Sequence, residues 1–257
     1  MGYKKPTEVS ESFLANAKLP QHGKKYSVVK HEYIIKKTKE ILNDYNFKID
    51  KEIYRANINA NVAQGILYLK HKNAFNDTGM MFGWTNSYDK SVRFQCAIGA
   101  YVMVCSNLMV SGEISYGRKH IGSAILDIDQ NIEYQIKNAN SIFNSIEQDK
   151  INLEDREMSF QEQCGIAGLL YIEKEIINNQ QLNIVKQEML KPSYDYATDP
   201  ENAWSFYNHV THALKTCHPK TWMKKSKQFH NFMTTKYLGK SPVANRDTDN
   251  FIEFSEF

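Results

Sequence analysis

The sequence predicts an α+β fold: an N-terminal helix and an antiparallel or mixed sheet, covered by a C-terminal helical part. Three observations carry that reading. Short β-branched and aromatic runs bounded by Asn, Gly and Asp fill residues 47 to 108, and apolar residues at helical spacing dominate beyond Gly122. The 257 residues are 42% apolar and 24% charged, which suits an ordinary globular domain and excludes disordered, collagen-like and low-complexity classes.

The elements follow in order. Val28, Ile34, Ile35, Ile41 and Leu42 recur near helical spacing, which predicts a first helix from Ser27, as N-cap, to about Asn46. Strands are expected around Ile49, Ile53 and Tyr54, over Ile66–Leu69 and over Met80–Trp84. The run from Ala97 to Val104 reads as a further strand or as a buried helix. Ile125, Ile128, Ile132, Ile136, Ala139, Phe143 and Ile146 step by three or four residues and predict one amphipathic helix of about six turns. Ser159 and Glu162 form a capping-box pattern ahead of a helix over Cys164–Ile177. Pro192 and Tyr194–Asp199 make a break. Asp199-Pro200 is expected to open the next helix, with Asp as N-cap and Pro at the first helical position. A last helix is expected from Pro219 to about Gly239. The organisation expected is a sheet region over 1–120, a helical region over 121–245 packed on it in one compact domain, and an acidic tail over 246–257.

A net charge of +3 does not by itself point to a nucleic-acid partner, but its distribution is uneven. Residues 1–120 carry +8, 121–203 carry −9, 204–245 carry +7 with no acidic residue, and 246–257 carry −3. Either the blocks neutralise one another in the fold, or a basic face is left for phosphate or acidic partners. No run approaches the ~18 apolar residues of a membrane span. The start shows no secretory pattern, and Pro6 stands where a myristoylation signal requires Ser or Thr. Cys96, Cys105, Cys164 and Cys217 form no CxxC pair and are read as reduced thiols. The expected location is the cytoplasm, that of the host cell for a phage-encoded protein.

Residues 84–124 hold Asn86-Ser87-Tyr88-Asp89, then Arg93 within a strand-like run, then Cys105-Ser106-Asn107, then His120. Further on stand Trp204, Asn208, Val210 and Thr211. In order and spacing this resembles the uncharacterised phage/plasmid-like family that includes the YafZ-type prophage proteins. Two positions depart from that pattern: Lys90 stands where the turn usually has Gly, and His209 where the later helix usually has Ala. The resemblance implies a phage or mobile-element setting and leaves the chemistry open.

Four groups carry candidate chemistry. Lys215, Lys220, Lys224, Lys225, Lys227, Lys236 and Lys240 interleave with Trp222, Phe229, Phe232 and Tyr237. Lysines that track phosphates and rings that stack bases are what single-stranded nucleic acid requires; the alternative is aromatics in the core and lysines in solvent. Arg93, Arg118 and Lys119 are candidate phosphate contacts, while Asn86–Asp89 reads first as an Asx turn. Asp247, Asp249, Glu253, Glu256 and the terminal Phe257 resemble the acidic tails of single-stranded-DNA-binding proteins, which compete with DNA and dock partner proteins; a packed C-terminal strand is the alternative. His209, His212 and Cys217 are weak metal candidates: the histidines share one helix face, but the spacing fits no zinc motif.

No phosphate loop, GxGxxG, GxSxG or paired-cysteine pattern is present. An enzyme is therefore the less favoured class, and no cofactor is expected. The leading expectation is a phage or mobile-element DNA-binding protein, favouring single strands in replication, recombination or annealing. Homo-oligomers and tail-docked replication or recombination proteins are compatible partners. The alternatives are a metal-dependent or thiol enzyme acting on nucleic acid, centred on His209, His212 and Cys217 or on Cys105 and His120, and a host-interaction protein that blocks defence through the acidic face.

Overall fold

The aromatic and β-branched runs pair into one mixed sheet. The computed structural model describes residues 7–20, 28–70, 78–103, 107–110, 113–117, 124–194 and 199–247. Its strands are β1 (Thr7–Val9), β2 (Lys48–Ala56), β3 (Val62–Lys70), β4 (Thr78–Ser87), β5 (Gln95–Val102), β6 (Asn107–Met109), β7 (Ser115–Tyr116) and β8 (Arg246–Asp247). The order is β1-β2-β3-β4-β5-β7-β8, with β6 also on β5. Every pairing is antiparallel except that of β7 with β8. The helices are α1 (Glu11–Ala15), α2 (His31–Asp44), α3 (Ala124–Lys137), α4 (Ala139–Glu154), α5 (Phe160–Ile172), α6 (Asn179–Leu190), α7 (Ala203–Leu214) and α8 (Trp222–Leu238). The fold is α+β, and the run from Ala97 is a strand.

All ten residues of β4 are buried, so the sheet is covered on both faces. Trp84 meets His31 of α2 on one face, whereas Gly83 and Thr85 meet Trp222 of α8 on the other. Registers Gly65↔Trp84↔Cys96 and Leu67↔Phe82↔Ile98 align the core across three strands. Beside β5, β6 and β7 leave a gap in the ladder. Gln135 of α3 fills it: its Oε1 accepts from the Ile98 N–H at 3.0 Å, and its Nε2 donates to Glu113 O and Ser115 Oγ.

Helix boundaries differ from the expectation in four places. The six-turn helix is two, α3 and α4, broken at Asn138, whose side chain donates to Tyr134 O. The apolar stripe from Ile128 through Phe143 to Ile146 stays buried across the break. Residues 174–177 leave the helix, with Glu175 in the left-handed region (φ 50°), and α6 then opens on a reciprocal capping box between Asn178 and Gln181. Asp199-Pro200 does not start a helix, because Glu201–Ala203 is held extended against Arg156–Met158 by backbone hydrogen bonds; Asn202 caps α7 instead. The last helix starts at Trp222 rather than Pro219 and ends as expected at Gly239, in the left-handed conformation. Ser27, the expected cap of α2, lies outside the described residues; the His31 N–H at that helix start donates to the Tyr88 hydroxyl.

The benzo edge of the Trp222 indole lies against Gly83, where an added Cβ would sit 2.7 Å from the ring. Gly83→Ala is therefore expected to lose about 1–3 kcal/mol of stability through overpacking. Urea unfolding at constant slope measures the loss.

Candidate nucleic-acid interface

Helix α8 sorts its residues by phase. Trp222, Met223, Ser226, Phe229, His230 and Met233 are buried, at spacings of a single inward face. Trp222 is 4% exposed and its indole N–H donates to Thr85 Oγ1 at 2.9 Å; Phe229 packs on Tyr207. These two rings are core residues and offer no surface to a base. Tyr237 is partly buried, and its hydroxyl donates to Glu162 Oε1; burial and that carboxylate raise its pKa.

Most of the basic block is engaged within the fold. Lys227 is 4% exposed, and its Nζ donates to Ala244 O and Asn245 Oδ1; burial lowers its pKa to about 8. It is a structural anchor, not a phosphate contact. Lys225 donates to the carbonyls of Glu175 and Ile176, and Lys220 lies 3.6 Å from Asp89. Lys240 pairs with Asp149, and Lys215 lies over the Tyr194 ring. Arg93 donates both guanidinium nitrogens to Asp247, at 2.8 and 2.6 Å. That bidentate pair ties β8, the first residues of the expected tail, to the sheet edge. Arg118, Lys119, Asp249, Glu253, Glu256 and Phe257, with Cys105 and His120, lie outside the described residues.

The outward face of α8 is different. Gln228, Asn231, Phe232, Thr235 and Lys236 line an open groove of about 560 Å³, closed on its sides by Lys174, Ile176 and Pro242. Lys224 stands exposed one turn before Gln228. Phe232 is half-buried, and among the described residues none that lines the groove is acidic. The four rings of the basic block, Trp222, Phe229, Phe232 and Tyr237, divide by helical phase: Trp222 and Phe229 face inward and Phe232 outward, because 228, 231, 232, 235 and 236 complement the inward set.

The weak metal candidates do not converge. Cys217 is buried and accepts from Gln181 Nε2, and burial raises its thiol pKa. His212 lies 3.8 Å from Glu188. Among the described residues no three His, Cys, Asp or Glu side chains gather as a metal site. The residues of the resembling segments are structural where described. Asn86 donates to Val29 O and bonds His31 Nδ1. Asp89 closes an Asx turn on Ser91, and Asn107 donates to both oxygens of Asn208.

The family described as a domain of unknown function, DUF932, matches residues 18–233. The chain belongs to the DUF932 family. No curated protein and no solved structure matches it. The DUF932 match spans β2 to β7 and α2 to most of α8, leaves out β1 and β8, and stops inside the groove, between Phe232 and Lys236.

Burial also sets the acid response of this DUF932 chain. His209 is buried, and burial lowers its pKa from 6.5 to about 4, with His212 adding to the effect and Glu188 opposing it. His230 is lowered too, chiefly by burial, although it contacts Asp149 and the Tyr207 hydroxyl. The unfolded chain thus binds protons that the folded chain refuses. Stability is intact above pH 6.5 and falls as the pH drops towards 4, by about 3 kcal/mol for His209 alone. Chemical unfolding from pH 7 to 4 should show this slope, and His209→Gln should flatten it.

Proposed function

We propose that the protein binds single-stranded DNA along the outward face of α8. The observation that carries this is a groove in which Lys174 and Lys236 flank a half-buried Phe232, with the amides of Gln228 and Asn231 alongside and, among the described residues, no acidic one in its lining. The lysines supply backbone neutralisation, the ring a stacking platform, and the amides hydrogen bonds to base edges. A single strand fits better than a duplex, because Phe232 reaches only a base that has left its stack. The pair formed by Lys174 with exposed Glu173 yields readily to a phosphate, since such surface pairs contribute little. The resemblance of residues 84–124 and 204–214 to the phage/plasmid-like family supports a mobile-element setting, with replication, recombination or annealing as the processes that handle single strands.

Fluorescence anisotropy of labelled single- and double-stranded oligonucleotides over a range of salt tests the reading. Three lysines, Lys174, Lys224 and Lys236, predict a log–log salt slope of roughly −2 for single strands. Phe232→Ala should weaken binding roughly 5- to 150-fold, the equivalent of ~1–3 kcal/mol per stacked base. Absence of binding at low salt, or affinity unchanged in Phe232→Ala and in Lys224→Glu/Lys236→Glu, would overturn it.

A further inference from the structure

Helix α5 is apolar on the side that faces the core and also on the side that faces solvent. Ile166, Ala167 and Leu170 point inward. Gln161, Cys164, Gly165, Gly168, Leu169 and Ile172 make an uncharged stripe at helical spacing on the other side. Ile172 is 77% exposed and Leu190, at the end of neighbouring α6, 66%. Between the two helices lies a mostly apolar cleft of about 490 Å³, lined by Phe160, Cys164, Leu182, Met189 and Leu190, with Asn183 and Lys186 on its α6 side. A helix that is apolar all round normally lies within a protein interior.

The glycines add an independent observation. A Cβ built at Gly165 or at Gly168 meets nothing within 4 Å, so the described fold requires glycine at neither position. Each glycine nevertheless costs the helix about 1 kcal/mol relative to alanine. Residues without a Cβ in mid-helix allow another backbone to approach closely.

We infer that α5 is a self-association surface that packs, antiparallel, on α5 of a second copy of this chain. The stripe is self-complementary, as a two-fold interface must be. Its midpoint falls between Ile166 and Ala167, so an antiparallel partner sets Gly165 against Gly168 of the partner subunit and Cys164 against Leu169 of the partner subunit. An uncharged stripe suits a copy of itself and offers nothing to a charged partner. Helices of 13 and 12 residues lying side by side span roughly 20 by 20 Å, below the ~800 Å² that each partner buries in a standard interface, so the dimer expected is a weak, concentration-dependent one. This inference does not rest on DNA binding.

Analytical ultracentrifugation over a range of protein concentrations is the test, combined with bismaleimide cross-linking through Cys164. The wild-type chain is expected to form a dimer that cross-links and that Cys164→Ser does not cross-link. Gly168→Glu should give a monomer with an unchanged circular dichroism spectrum, since the site is open in the single chain. Gly165→Ala/Gly168→Ala gives the sharper result: the monomer's melting temperature rises while the dimer dissociation constant increases at least tenfold. A chain that stays monomeric at all concentrations, or a dimer indifferent to these substitutions, would overturn the proposal.

Discussion

Complete burial of β4 is the constraint on which the rest of the molecule depends. A strand covered on both faces is shielded from water, so its polar side chains turn to the elements that cover it for partners. Thr78 Oγ1 donates to Glu147 of α4, Thr85 Oγ1 accepts from Trp222 of α8, and Asn86 donates to Val29 O just ahead of α2. Ser87 Oγ accepts the Val92 N–H and closes the turn into β5. Three polar side chains of one strand thereby fix helices on both sides of the sheet, and a fourth fixes the turn that leaves it. The position of α8, and with it the face it presents to solvent, follows from the Trp222 contact with Thr85 and Gly83.

The seven lysines of residues 204–245 are a local excess of charge, and the fold resolves most of it by tertiary pairing. Acceptors come from well outside the block: Asp89 for Lys220, Asp149 for Lys240, and the carbonyls of Glu175 and Ile176 for Lys225. Lys227 takes its acceptors from the chain that leaves α8. That same stretch ends with Asp247 on Arg93 and with the Arg246 guanidinium 4.1 Å from the Tyr134 ring centroid. The basic block therefore works largely as a set of anchors. Lys224 and Lys236 stay exposed on α8, and Lys236 lines the groove together with Lys174.

The legible parts of this fold are those in which one local pattern persists. The strands around Ile66 and Met80 follow from short continuous apolar runs, which suit strands buried on both faces, and the end of the last helix at Gly239 from a glycine stop. The two-helix break at Asn138 is hidden because Ile136, Ala139 and Phe143 keep their stripe across it; both halves bury the same side. The false start at Asp199-Pro200 is a good local cap signal overridden by extended pairing with Arg156–Met158, a contact 40 residues away that no window can see. Helix α6 carried its capping signal openly, in Asn178 and Gln181, yet its mixed apolar pattern masked it. At the candidate site, composition draws attention to α8, and helical phase sorts its rings into an inward and an outward set. Trp222 and Phe229 are the larger or more central aromatics, and that is why they are drawn into the core.

The turn between α5 and α6 belongs to both surfaces. Ile176 lines the α8 groove and its carbonyl is held by Lys225 of α8, while the apolar stripe of α5 ends at Ile172, four residues earlier. Glu175 sustains a left-handed conformation there, which costs a non-glycine residue roughly 1–2 kcal/mol, and the Lys225 ammonium on its carbonyl offsets part of that cost. Lys225 thus sets the distance between α8 and the end of α5 rather than reaching out to a ligand. A partner packed on α5 would meet a helix whose C-terminal end is already fixed to the groove wall.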